Sequence, residues 1–220
     1  MPNSLAPDNE CSAAQALAEF LRSIVPSTNE FERKGYGHMG ATLTDSVLQA
    51  GLNYRSVVMP RVEHVLATYP DAITTTIFWD TLCEVGAGAL LRWSHPEKID
   101  RLTRLVTLLR SRGVETETDL GDWLGAASAS AELLQLKGIG PKTVDYIKIL
   151  VGIPTVAVDR HVKTFFLLAG IQLTEYEDFR TVACKAAKLL SIQAHILDAI
   201  IWRYVTAQSR LRVSPCESSV

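Results

Sequence analysis

Apolar residues recur every three or four positions through most of the longer segments of this chain: Ala13–Ile24, Leu43–Leu52, Val57–Tyr69, Ile99–Arg112, Ala131–Leu136, Thr143–Val151, His161–Ala169, Phe179–Leu190 and Ala194–Ala207. That spacing lines one face of an α-helix, so the pattern predicts an all-α protein. The punctuation agrees. Gly113 follows the arginine-rich stretch 101–112, Gly170 follows Phe-Phe-Leu-Leu-Ala, Asp71 follows Pro70, and Ser94-His95-Pro96 precedes a charged helix start. Only TTTIFW, residues 74–79, reads as strand-like, and it is short. Internal repeats and low-complexity tracts are absent, and loose ends are expected at residues 1–10 and 213–220, where Ser, Pro and Asn gather.

With 220 residues and 47% apolar composition, the chain can bury a core for one large domain or two small ones. Its net charge of −2 argues against a nucleic-acid partner until the charges are counted by segment. Residues 1–91 hold five basic and ten acidic side chains, and residues 113–136 hold none and five. Residues 92–112 hold six and two, 137–165 five and two, and 185–212 five and one. Three basic segments converging on one face would be a footprint of phosphate contact; scattered, solvated lysines and arginines are the alternative. Apolar runs such as Ile147–Ile153 fall well short of the roughly 20 residues a membrane span needs. The start, MPNSLAPDNECSAAQ, lacks the basic and apolar regions of a signal peptide, so a cytoplasmic location is expected, nucleoid-associated in a bacterium. Cys11, Cys83, Cys184 and Cys216 form no CxxC pair; neither a zinc site nor an iron–sulfur cluster has its usual ligand spacing, and reduced thiols are expected.

The densest chemistry lies in LKGIGPKTVDYIKIL, residues 136–150. A short helix, a tight Gly138-Ile139-Gly140 turn and Pro141 at the first position of a second helix make a helix-hairpin-helix. The glycines allow a sharp turn and close approach of a partner, Ile139 anchors the turn inward, and the free N–H groups of the second helix can hold a phosphate oxygen. A carbonyl of such a loop can also hold a monovalent cation. An ordinary glycine-rich connection is the plainer interpretation. If the loop binds DNA, contact is to the backbone, without base information.

Lys142 falls in the first turn of that second helix, where the dipole disfavours a positive charge. A neutral amine there is a usable nucleophile; a lysine bent outward to solvent or phosphate is the alternative. Downstream, Asp159 stands immediately before the helix His161–Ala169. It suits an N-cap, and a carboxylate held by helix N–H groups also stays ionised and can steady a cationic sugar or take a proton from an amine. The two roles are compatible.

The string LKGIGPKTVDYIKILVGIPTVAVDRHVKTFF resembles the helix-hairpin-helix, Gly/Pro loop and aspartate motif of the DNA glycosylase superfamily (HhH-GPD) that includes endonuclease III and the 8-oxoguanine glycosylases. The match covers about thirty residues, with a compatible helical pattern over most of 38–207. The resemblance implies two helical lobes with the hairpin at the cleft between them: a bundle at 43–153, and a second lobe from 1–42 plus 154–220 carrying the aspartate. It implies that Asp159 is the catalytic carboxylate and Lys142 the nucleophile of members that combine glycosylase and abasic-site lyase activity. Gln49, in VLQAGLNY, matches the glutamine that fills the gap left by an extruded base, with a plain polar residue on a helix surface as the alternative. Leu90 or Leu91, in GALLRWSHPEKIDRL, occupies the wedge-loop position, with a plain core leucine as the alternative. His161 matches a histidine near the DNA backbone, and Trp202-Arg203-Tyr204 resembles the last helix before the cluster loop of endonuclease III. Gly138, Ile139, Gly140 and Lys142 complete the expected DNA contacts, and Tyr36, His38, Met39 and Trp93 are candidates for the base pocket.

One departure is plain: the four clustered cysteines of endonuclease III are missing, so no iron–sulfur cofactor is expected, and DNA contact would fall more on the basic segments 92–112 and 203–212. The expected protein is a monomer that binds double-stranded DNA containing a damaged or modified base or an abasic site, extrudes the nucleotide, removes the base and nicks through a lysine Schiff base. A glycosylase without lyase activity and a non-catalytic DNA-binding module are the alternatives. The sequence does not name the base.

Overall fold

The computed structural model describes residues 6–24 and 35–213. Their regular structure is helical, with no strand among the described residues. In chain order the helices are α1 (Pro7–Ile24), α2 (Met39–Leu48), α3 (Met59–Thr68), α4 (Thr75–Val85), α5 (Ala87–Leu90) and α6 (Pro96–Ser111). They continue with α7 (Glu117–Leu124), α8 (Ala127–Leu134), α9 (Pro141–Leu150), α10 (Arg160–Leu168), α11 (Tyr176–Leu189) and α12 (Ala194–Val213). A π-helical turn over Tyr54–Val58 leads into α3. Two compact units emerge: a continuous one, Arg33–Ile153, and one that joins Met1–Glu32 to Pro154–Val220.

The continuous unit is built around α2, whose ten residues are all buried. A helix buried on every side cannot show a polar stripe, so its neighbours must accommodate whatever polar groups it carries. Helices α3, α4, α6 and α9 pack on it. Leu102, Leu105, Val106 and Leu109 of α6 face inward at intervals of three and four, the apolar stripe of a surface helix. The unit extends N-terminal to Leu43, the start that the family resemblance implies. Glu117, at the start of α7, accepts hydrogen bonds from the amides of Tyr36 (3.1 Å) and Gly37 (2.9 Å) and from the Thr42 hydroxyl, tying segment 35–37 to the core.

Two elements differ from the sequence expectation. TTTIFW opens α4 instead of forming a strand: the Thr74 side chain accepts from Ile77 N (3.2 Å), and Thr75, Phe78 and Leu82 turn inward at helical spacing. Burial of that face, at about 1.5–3 kcal/mol for a residue such as Phe78, outweighs the weak preference of Thr and Ile for extended backbone. The acidic stretch after Gly113 contains α7, a helix of 8 residues closed by a capping box between Thr116 and Asp119. Those bonds, led by the one from the Thr116 backbone, hold Asp119 below the usual carboxylate range. Gly113 ends α6 with φ +68°, where a side chain would be strained.

In the other unit, α1 packs on α11 and α10 on α12. Its core holds Leu17, Phe165, Phe166, Val182 and Ile201, with Phe166 against Phe179 at 5.0 Å and Phe165 edge-on to Tyr204 at 5.6 Å between ring centroids. Helix α1 starts at Pro7, inside the stretch expected to be loose; proline is tolerated at a first helical position, and Glu10 there is paired with Lys185 of α11. Residues 1–5 and 214–220, the rest of the expected loose ends, lie outside the described residues, as does Cys216.

If the Thr74 cap holds α4 in place, Thr74→Ala lowers unfolding free energy by about 1 kcal/mol in urea denaturation, while Thr74→Ser stays within a few tenths of the native value. Equal stability of all three would mean that this helix start is not capped.

Candidate active site

The glycine turn stands at the end of α8 and the mouth of α9. Gly138 takes φ +86°, and a Cβ there would collide with the Arg101 guanidinium from α6. Gly140 caps α9 in extended backbone, and nothing stands within 4 Å of where its Cβ would be, so a partner can approach its backbone closely. Ile139 is buried, anchoring the turn, while Lys137 and Gly138 are exposed. Pro141 is the first residue of α9 and Lys142 lies in its first turn.

The Lys142 ammonium group does not bend away to solvent. It donates to the side-chain oxygen of Gln49, the C-cap of α2, and lies 5.9 Å from the centre of the Tyr146 ring. The Tyr146 hydroxyl in turn donates to the buried Asp45 carboxylate (3.0 and 3.1 Å). Tyr36 O–H donates to the same carboxylate at 2.8 Å and Tyr54 O–H at 3.3 Å. This cluster joins α2, α9 and the segment before α2. Burial first, and then the charge of Asp45, push the Tyr36 phenol far above the ordinary tyrosine value, so it stays a donor.

Asp159 belongs to the other unit, with its own local frame. Oδ1 accepts from His161 N (2.7 Å) and Val162 N (3.1 Å) at the start of α10, and Oδ2 accepts from His161 Nδ1 at 2.9 Å. A carboxylate can only accept here, which places the imidazole proton on Nδ1. The His161 ring lies 6.2 Å from that of Trp202 on α12. The approach to Asp159 is fixed from outside the motif: Ala157 N donates to Asp198 Oδ1 (3.0 Å), and Val158 N to the Tyr176 hydroxyl (3.3 Å). The Asp159 side chain is 24% exposed, so it is oriented without being sealed.

Several sequence candidates have other employment. Leu90 and Leu91 are wholly buried in the core of the continuous unit, the packing alternative to the wedge role. Met39 is equally buried there. His38 caps α2: its Nδ1 accepts from Ala41 N (3.0 Å) and its Nε2 donates to Tyr69 O (2.9 Å), leaving neither nitrogen for a base. Trp93 packs against the core under the Arg61 guanidinium, 5.1 Å from its ring centre. Tyr36 stands in the Asp45 cluster. The basic segment 92–112 is also largely engaged: Lys98 turns into the end of α2, Arg104 pairs with Asp100, Arg112 with Glu132 (2.7 Å), and Arg110 stacks on Trp79. Asp45, Tyr54, Tyr146, Glu117, Tyr176 and Asp198 escaped the sequence reading, since each depends on contacts between distant segments; only the i, i+4 spacing of Lys142 and Tyr146 on one helix face hinted at any of them.

The all-helical fold is similar to that of a solved DNA glycosylase. A crystal structure of the 3-methyladenine DNA glycosylase of H. pylori (MagIII), bound to 1,N6-ethenoadenine, superposes with a TM-score of 0.52 over 93% of this chain and 99% of that one, at 17% sequence identity. No protein-family profile and no curated protein matches the chain.

Because the folded state keeps the Tyr36 proton, stability linked to this group is complete below the ordinary tyrosine value and is lost as pH rises above about 10, where the unfolded chain ionises it. Tyr36→Phe should therefore flatten the loss of stability above about pH 10 while leaving the alkaline absorbance titration of the folded protein unchanged below about pH 12. A lost phenolate signal in that variant would contradict the buried Tyr36–Asp45 bond.

Proposed function

We propose that this chain is a DNA N-glycosylase of base excision, and that Lys142 adds an abasic-site lyase activity. The observation that carries the proposal is the Gly-Ile-Gly-Pro hairpin with Lys142 in the first turn behind it, in a chain with a glycosylase fold. The backbone N–H groups at the mouth of α9 are suited to a phosphate, and Gly140 leaves room for one. A neighbour bound to 1,N6-ethenoadenine favours a damaged base as the group removed.

In this scheme the chemistry is divided between two side chains. Asp159, held by two amides and one imidazole, steadies positive charge on the sugar as the bond from C1′ to the base breaks. The Lys142 amine forms a bond to C1′, giving a Schiff base once the ring opens, and the base leaves with a proton. Loss of a proton from C2′ then expels the 3′ phosphate and cuts the strand, and water releases the lysine. The bond from Lys142 to Gln49 favours a second version, in which the amine stays engaged and water, not lysine, attacks C1′.

Borohydride trapping on duplexes containing an abasic site, 3-methyladenine or ethenoadenine separates the two. A covalent adduct that vanishes in Lys142→Ala supports the lyase; base release without an adduct supports the hydrolytic version; binding with neither refutes the enzyme. Asp159→Asn is the sharper variant, because Asn caps a helix about as well as Asp and removes only the charge. Base release should fall on the order of 10²–10³-fold while duplex affinity changes less than about threefold. An equal loss of both would reduce Asp159 to a structural cap.

A further inference from the structure

The last carbonyls of α2 have no partners within the helix and lie at its negative end. Lys98, from α6, supplies those partners: its ammonium group donates to Ala50 O (2.8 Å), Val47 O (2.9 Å) and Leu48 O (3.3 Å). Among these residues sits Gln49, only 8% exposed, whose side-chain oxygen receives Lys142. Two lysines from different helices thus converge on one helix end. Arg101, one turn after Lys98 on α6, adds a third positive group beside the hairpin.

We propose that Lys98 is the positioning residue of Lys142: it clamps the end of α2 so that Gln49 presents its oxygen to Lys142, and its fixed charge disfavours a second ammonium ion beside it. Burial, then the charges of Arg101 and Lys142, bring Lys98 down to about 8, so it still carries most of its charge at neutral pH. Repulsion between like charges is mutual, and it therefore acts on Lys142 as well. Arg101 adds to the same effect from beside the hairpin. From α2 comes the uncharged Gln49, with Asp45 lying beyond the Tyr146 hydroxyl on α9 itself; from α8, which packs on α9, Glu132 is engaged with Arg112.

The premise is the proposed role of Lys142 as reacting amine, but the test needs no DNA. The full chain is exposed to acetic anhydride over a series of pH values, and acetylation at Lys142 is followed by mass spectrometry of its peptide. Lys98→Gln removes the charge and keeps an N–H donor for the α2 carbonyls, so it should stay folded where Lys98→Met does not. It is expected to raise the pH of half-maximal Lys142 labelling by about half a unit, roughly a threefold smaller amine fraction at a given pH. Lys98→Arg, which keeps the charge, should stay close to the native curve. Native and Lys98→Gln curves that coincide would overturn the inference, even if borohydride trapping succeeds. A shifted curve in a protein that traps no abasic DNA would instead uphold the Lys98 effect and refute the lyase.

Discussion

The continuous unit depends on one constraint: α2 is buried on all sides and still carries an aspartate in its interior and bare carbonyls at its end. An unpaired charge in such a place is costly, on the order of several kcal/mol, so other elements have to bring hydrogen-bond donors. Three tyrosines do so for Asp45, and Lys98 does so for the carbonyls. Tyr146 lies on the same helix as Lys142, one turn further along. Satisfying the polar groups of α2 therefore fixes α9 and, with it, the lysine at its mouth.

Asp159 is treated differently. Its carboxylate is held by amides and an imidazole at the start of a helix, and it remains partly open to solvent. An N-cap of this kind stabilises α10 and leaves an oriented carboxyl group at the surface of its unit. The bonds that cap α10 also orient the proposed catalytic carboxyl, which is why substitution by Asn is more informative than deletion of the side chain.

Charge counting shows where basic residues gather, not what they touch. The excess of basic residues over 92–112 suggested a strip of phosphate contacts, yet Lys98, Arg104, Arg110 and Arg112 all have partners within their own unit. The long stem of lysine or arginine lets its head reach a carbonyl, a carboxylate or an aromatic face well away from its own backbone, and linear sequence does not record that reach. Leu90, Leu91 and Met39 are a related case, all three buried in the core of their unit. An apolar residue offered as a wedge or pocket wall looks the same in sequence as one sealed in a core.

What the sequence determined by itself was local. Helical periodicity gave the all-α class, and the GIGPK string placed the turn, the proline at the first position of α9 and Lys142 behind it. Asp159 could be read as a cap from its place before a helix. These features follow from the conformational limits of Gly and Pro and from the unpaired N–H groups of a helix end, all set by residues near one another in the chain. Tertiary structure alone decided which groups satisfy Asp45 and the end of α2, what holds Tyr36 and the approach to Asp159, and that TTTIFW is helical. Each of these depends on burial against segments distant in sequence, and burial energy and the demand for buried hydrogen bonds exceed local propensity.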